Sequence, residues 1–202
     1  MKYRWRELTL KEQADLLAWR RSRGHPWHSP QHREGTNGQY HITAACYEHQ
    51  AYIGYSTERL RSFCDQLMCA INESSGSIHG WCVLPNHYHA IIETADLPLT
   101  LSALGKLHGR TSFTWNKEEK AQGRKVWYRC VERSMRNERH RWATLNYIHN
   151  NAVHHGYVPR WQDWPFSSAA EYLDRIGADK AREIWHKYPV LDYGKGWDDP
   201  DL

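Results

Sequence analysis

The chain has 202 residues, enough for one domain with its own hydrophobic core and no disulfide staples. Hydrophobic residues make up 40% and charged residues 25%; with a mean hydropathy of −0.85 and no apolar run of about 18 residues, a membrane-spanning helix is excluded. Lysine and arginine total 27 against 23 acidic residues, a formal charge of +4 and a pI near 8.8, a mildly basic balance that permits nucleic-acid binding without demanding it.

Met1 to Arg6 lead into no apolar stretch, so no secretory signal is expected. Cys46, Cys64, Cys69, Cys82 and Cys130 are odd in number and lack a C-x-x-C pair, which reads as buried free thiols in a cytoplasmic protein. The 14 His, 11 Trp and 12 Tyr against 3 Phe are unusual. Aromatic rings with a polar edge suit base stacking or polar ligands, and equally a core in which Trp and Tyr replace Phe.

Residues 1–35 read as a basic extension, with a short helix around Leu8, Leu16, Leu17 and Trp19. A turn-rich loop follows, in which His25, His28 and His32 are solvated rather than zinc-bound. From Gly38 to Gly54 the chain has strand character, Ile42, Ala44 and Cys46 alternating with His41, Thr43 and Ala45. Ser56 or Thr57 caps a helix to about Asn72, its apolar stripe being Leu60, Phe63, Leu67 and Ala70. Two strands, Ile78–Leu84 and His87–Glu93, flank a Pro85-Asn86 break of hairpin length. A helix over Thr100 to about Glu119, a strand over Val126–Val131 and a helix over Asn137 to about Val153 come next. Beyond Trp161 lie a Trp-Pro-Phe-Ser-Ser turn, a helix over Ala169–Ile176 and an acidic tail.

The order β-α-β-β-α-β-α predicts an α+β fold: a ferredoxin-like core with one antiparallel sheet, helices on one face, and a further helix after the last strand. The expected division is an extension to residue 35, a central domain over 36–160 and a C-terminal extension over 161–202.

Two places carry candidate chemistry. In a strand, His87 and His89 point to the same face and could hold one divalent metal, although with so many histidines the spacing equally suits two ordinary strand residues. On the last core helix Trp142, Leu145, Ile148 and Ala152 form an apolar stripe. His140, Thr144, Tyr147 and Asn151 recur at i, i+4, i+7 and i+11 on a separate polar one. Tyr147 and Asn151 are one turn apart, the first a possible nucleophile and the second a hard oxygen ligand, although a Tyr there also packs. The topology allows this helix to cross the sheet above the two histidines.

These segments resemble a known family. Val83-Leu84-Pro85-Asn86-His87-Tyr88-His89 resembles the His-hydrophobe-His signature of the HUH single-tyrosine transposases. Tyr147 to Val153 resembles the segment carrying their tyrosine, and Trp164 to Ser168 the turn that follows it. Together, over residues 38–175, the chain resembles the REP-associated tyrosine transposases, and it is departures such as Ala152 for the usual Pro, and Tyr88 as a bulky middle residue, that distinguish it. Tyr88 points to the opposite sheet face, where its hydroxyl needs a partner.

The resemblance implies DNA nicking and joining on single-stranded or hairpin (REP-like) DNA. It makes Tyr147 the nucleophile and His87, His89 and Asn151 the ligands of Mg²⁺ or Mn²⁺, with a 5′-phosphotyrosine conserving the bond energy. Lys106, Arg110, Arg124, Lys125, Arg129, Arg133 and Arg136 are the candidate DNA contacts, and Trp127 or Trp115 a candidate base stacker. The expected setting is the nucleoid, as a monomer or homodimer. Two other readings compete: a hairpin-DNA binder of the same descent without chemistry, and a zinc hydrolase, which lacks a general-base carboxylate since Glu93 lies far along the strand.

Overall fold

A computed structural model describes residues 38–190 except Ser75, and in addition Thr9, Lys11, Glu12, Ala14, Asp15 and Ala18. Within the expected helix around Leu8 and Trp19, Lys11, Glu12, Ala14, Asp15 and Ala18 are helical and exposed, while Leu8, Leu16, Leu17 and Trp19, the three histidines of the basic loop and the end of the acidic tail lie outside the described residues. From residue 38 onward the elements are β1 (Gln39–Ala45), α1 (Thr57–Glu73), β2 (Gly76–Val83), β3 (His87–Thr94), α2 (Leu97–Glu118), β4 (Val131–Ser134), α3 (Glu138–His154), α4 (Ala169–Ile176) and α5 (Ala178–Lys187).

The sheet is four-stranded and antiparallel throughout, in the order β2-β3-β1-β4, which is the ferredoxin-like arrangement. Helix starts follow their caps: Ser56 Oγ accepts from Arg59 N, Asp96 Oδ1 from Leu99 N, and Asn137 Oδ1 from His140 N. The Asp96 cap explains why α2 begins at Leu97 rather than at Thr100.

Alternation divides the sheet into two faces. Tyr40, Ile42, Ala44, Tyr88, Ala90 and Ile92 pack with Phe63, Leu67 and Ile71 of α1 and Leu104, Leu107 and Trp115 of α2. On the other face Cys82, Leu84 and Ile91 pack with Leu145, Ile148 and Ala152 of α3, Tyr172 of α4 and Ala181 of α5. The helices therefore flank the sheet on both sides, because α3 returns over the face that α1 and α2 leave open.

Several expectations need correction. The last strand is Val131–Ser134, not Val126–Val131; the earlier stretch makes only an isolated bridge, Cys46 with Trp127, plus the bond from Tyr128 N to Ala45 O. Helix α5 replaces the start of the supposed tail, its Ala181 and Ile184 buried. The cysteines are free, but Cys69 is exposed and Cys130 half-buried. Burial raises the Cys46 and Cys64 thiols to about 12, so both stay protonated. Among the described residues no helix is long and apolar enough to cross a membrane.

Candidate active site

The site begins with register. Ala45 lies opposite His87, Thr43 opposite His89 and His41 opposite Ile91, so His41, His87 and His89 share one sheet face on adjacent central strands. On β4, Arg133 lies opposite His41 and joins that face at its margin. All three histidines are buried, as are Tyr147 and Asn151 of α3.

Helix α3 brings its polar stripe down onto this face. The Tyr147 hydroxyl is 3.4 Å from His89 Nε2, and Asn151 Oδ1 is 3.0 Å from His87 Nε2. The Tyr147 and His89 rings meet edge to face with centroids 5.2 Å apart, and those of His87 and His89 are 5.0 Å apart. Helical geometry accounts for the paired contacts: four residues is about one turn, so Tyr147 and Asn151 reach one strand's i and i+2 positions.

The hydrogen bonds around His87 decide its tautomer. Asn86 Nδ2 donates to His49 O at 3.2 Å, so its Oδ1 is the atom facing His87 Nδ1 at 2.7 Å. That nitrogen carries the hydrogen, and in the neutral ring Nε2 keeps the lone pair that faces Asn151 Oδ1. As placed, two lone-pair atoms face each other, an arrangement relieved by a shared cation or by turning the Asn151 amide so that Nδ2 donates to the ring nitrogen. An imidazole nitrogen and an amide oxygen are donors that could hold a divalent ion between them. An N–H bond from the other ring nitrogen to an oxygen is also what a metal-binding histidine needs. Asn151 Nδ2 is buried without a hydrogen-bond partner among the described residues. The donor set is two imidazoles and one amide; among the described residues no group of three or more His, Cys, Asp or Glu could hold a metal.

Two residues near the site carried no role in the sequence. His41 is fully buried, and its Nε2 lies 3.2 Å from His89 Nδ1, where it orients the second imidazole as Asn86 orients the first. His155, four residues past Asn151, stacks edge to face on His87 at 5.0 Å. His41 was readable only from its register with Ile91, two positions along β3 from His89. Thr144 Oγ1 donates to His140 O at 2.8 Å, and His140 Nδ1 accepts from Arg136 N at 3.2 Å, bracing the helix start.

The candidate DNA contacts do not gather in one place. Arg133 and Arg136 flank the start of α3 and, after burial, hold the His140 imidazole below its ordinary value. Lys125 and the exposed Arg129 lie on the segment before β4. Lys106 and Arg110 are exposed on α2, in the layer behind the sheet from Tyr147. Arg124 is engaged within the fold: it pairs with Glu119 at 2.8 Å, donates to Asn116 Oδ1 and covers the Tyr52 ring. Trp115 and Trp127 are core residues, 5% and 8% exposed, and so not available to stack a base. Tyr88 finds its partner in His108 Nε2 at 3.1 Å. Glu93 bonds Gln39 and His79 away from the site, so the hydrolase reading gains no base.

The four-stranded antiparallel sheet with a tyrosine-bearing helix across it is an α+β fold that matches that of a solved transposase. No family model matches the chain. A Haemophilus influenzae protein provisionally named a REP-associated tyrosine transposase is 31% identical over 121 residues, covering 54% of this chain. The chain spans 66% of the length of that curated relative. A solved structure of a REP-associated tyrosine transposase bound to a REP hairpin superimposes with a TM-score of 0.56 at 22% identity, covering 80% of this chain and 89% of the other. A provisionally named transposase from Deinococcus radiodurans, at a TM-score of 0.42, 18% identity and coverage of 60% and 97%, adds nothing to the argument. The chain belongs to the REP-associated tyrosine transposases.

Proposed function

We propose that the protein is a metal-dependent endonuclease and strand transferase acting on single-stranded or hairpin DNA, with Tyr147 as its nucleophile. The observation that carries this reading is the approach of the Tyr147 hydroxyl to His89 Nε2, 3.4 Å, beside the His87–Asn151 pair. The hairpin substrate is argued from the similar fold solved with a REP hairpin.

His87, His89 and Asn151 are the residues to hold Mg²⁺ or Mn²⁺, which would supply Lewis acidity at a non-bridging phosphate oxygen and at the leaving 3′-oxygen. Tyr147 attacks the phosphorus in line. Its O–P bond forms as the P–O3′ bond breaks, the phenol proton passes to solvent, and the departing 3′-oxygen takes one up. The 5′-phosphotyrosine keeps the phosphodiester energy, so attack by another 3′-hydroxyl rejoins the strand and releases the phenol without a nucleotide cofactor. His41 and Asn86 act as positioning residues that hold the two imidazoles in place.

The test is incubation with hairpin DNA and Mn²⁺ followed by denaturing electrophoresis. Wild type is expected to form a detergent-resistant protein–DNA adduct that chelation of the metal prevents, and Tyr147→Phe none. An equal adduct from Tyr147→Phe assigns the nucleophile elsewhere. Hairpin binding with no adduct at all leaves the non-catalytic binder.

A further inference from the structure

The Trp164–Ser168 turn takes no part in the chemistry proposed for Tyr147, yet it is bonded both to the strand beside His89 and to the helix that carries the tyrosine. Val83 N donates to Phe166 O at 2.8 Å, and Ser168 N to Trp81 O at 2.9 Å. Cys82, between those two residues of β2, lies opposite His89 on β3. The turn is therefore fixed to the sheet at the level of the second imidazole.

Its link to α3 is a side-chain contact. The Ser168 hydroxyl accepts from Trp81 N at 2.9 Å and meets His149 Nε2 at 3.0 Å. His149 is buried, its ring nearly parallel to that of Trp161 with centroids 5.8 Å apart, and against Tyr172 at 4.9 Å. The pair stands over Gly80 of β2, where a Cβ would lie 3.7 Å from both His149 Nε2 and Ser168 Oγ. Two rings and a strand thus enclose the imidazole and hold its edge at the hydroxyl.

Helical geometry gives this contact leverage. Leu145, Ile148 and Ala152 are the stripe that α3 packs into the core on this face of the sheet. At about 100° per residue, His149 lies about 70° to one side of the stripe's centre, and Tyr147 and Asn151 about 90–130° to the other. The two flanks match the sheet: His149 stands over β2, while Tyr147 and Asn151 meet His89 and His87 of β3. A roll of α3 by about 10° about its axis carries its surface groups about 1 Å. A misplacement of about 1 Å at a reacting group can cost about 100-fold in rate. Apolar contact along the stripe has no preferred direction, whereas a hydrogen bond at one flank is directional and fixes the roll.

We propose that His149 and Ser168 are positioning residues that set the roll of α3, so that the Trp164–Ser168 turn aims Tyr147 and Asn151 at the histidines of β3. This rests on the reading of Tyr147 as the nucleophile and adds how its helix is held to the sheet.

The test uses the full chain. His149→Phe keeps a ring against Trp161 but loses the bond, Ser168→Ala loses it from the other side, and His149→Gln puts an amide where Nε2 stands. Ile71→Val, in the layer behind the sheet, controls for lost stability. His149→Phe and Ser168→Ala are each expected to slow single-turnover adduct formation in Mn²⁺ by about 10- to 100-fold. Hairpin affinity in chelator should stay within about twofold of wild type. The double variant should be no slower than the slower single one, since either change removes the same bond. His149→Gln should restore most of the rate. A second readout needs neither DNA nor metal. The imidazole Cε1–H resonance of His89, assigned by its loss in His89→Gln, reports the Tyr147 ring set edge to face on it at 5.2 Å. It should move in His149→Phe and Ser168→Ala, return in His149→Gln and stay in place in Ile71→Val.

A wild-type rate with an unmoved resonance in both His149→Phe and Ser168→Ala, losses that multiply in the double variant, or equal slowing by Ile71→Val overturns the proposal; with an adduct in wild type, the catalytic reading still stands. A resonance that moves and returns as expected, in a protein that forms no adduct, upholds the positioning role and overturns the catalytic reading.

Discussion

Asn86 is the residue on which the orientation of the first imidazole turns. Its amide is held by the His49 carbonyl, and that carbonyl is presented by Glu48 and His49, both at φ 52°. The left-handed region is costly for residues with a Cβ, by roughly 1–3 kcal/mol each, and two in succession persist only where the surroundings demand it. Asn86→Ala is therefore expected to weaken Mn²⁺ binding about 10- to 100-fold, read by titration of the bound ion, with thermal stability lowered much less. Asn86 was legible as part of a motif. Its task was not, since that depends on a carbonyl 37 residues away in the chain.

At the scale of elements, the turn before β3 is set by close contact. Gly54 N donates to Pro85 O at 2.9 Å, and a Cβ at Gly54 would stand 2.3 Å from Pro85 Cβ and 2.8 Å from its Cα. Ring and backbone of a proline cannot swing away as a long side chain does. Gly54→Ala is expected to cost about 1–3 kcal/mol in denaturant unfolding and to reduce adduct formation, because the segment displaced leads directly into Asn86 and His87. Gly80 also faces a close neighbour, Leu145 Cδ1 at 2.3 Å, but this is the flexible end of a side chain and yields more readily. The helices and inner strands were readable because their caps and apolar periods are local. Strand β4 was misplaced because Val126 and Trp127 look like strand residues yet are buried core residues of which only Trp127 makes an isolated bridge, to Cys46, while β4 itself carries Glu132 and Arg133. Helix α5 was missed because its short apolar stripe, Ala181 and Ile184, is sparse among charges.

At the scale of the whole molecule, acid sensitivity follows from what lies behind the sheet. His108 accepts the Tyr88 hydroxyl and stacks on Trp127 with centroids 4.3 Å apart; burial pushes it down to about 4. The fold therefore holds it neutral, while the unfolded chain takes up a proton near 6.5. Its contribution is full above about pH 6.5, declines as pH falls toward 4, and changes no further below. Between pH 7 and 5 this amounts to about 2 kcal/mol. In urea unfolding at the two pH values, His108→Gln should show a loss smaller than wild type by about that amount; equal losses in the two proteins would assign the acid sensitivity elsewhere. The two-sided layering was only half visible in advance: the topology allowed a helix across the sheet, but the alternation of β3 alone could not say which face it would cover.

The turn after α3 has a consequence for how copies of the protein can meet. Val83 N bonds Phe166 O, Ser168 N bonds Trp81 O, Ser168 Oγ receives Trp81 N, and Trp164 Nε1 bonds Val83 O. Those bonds occupy the outer border of β2 from Trp81 to Val83. A second molecule cannot pair with that end of β2 without first evicting the turn. The opposite border, β4, offers only four residues, one acidic and one basic. Among the described residues, then, the sheet leaves short borders for another strand, and the histidines, asparagine and tyrosine that meet come from one chain.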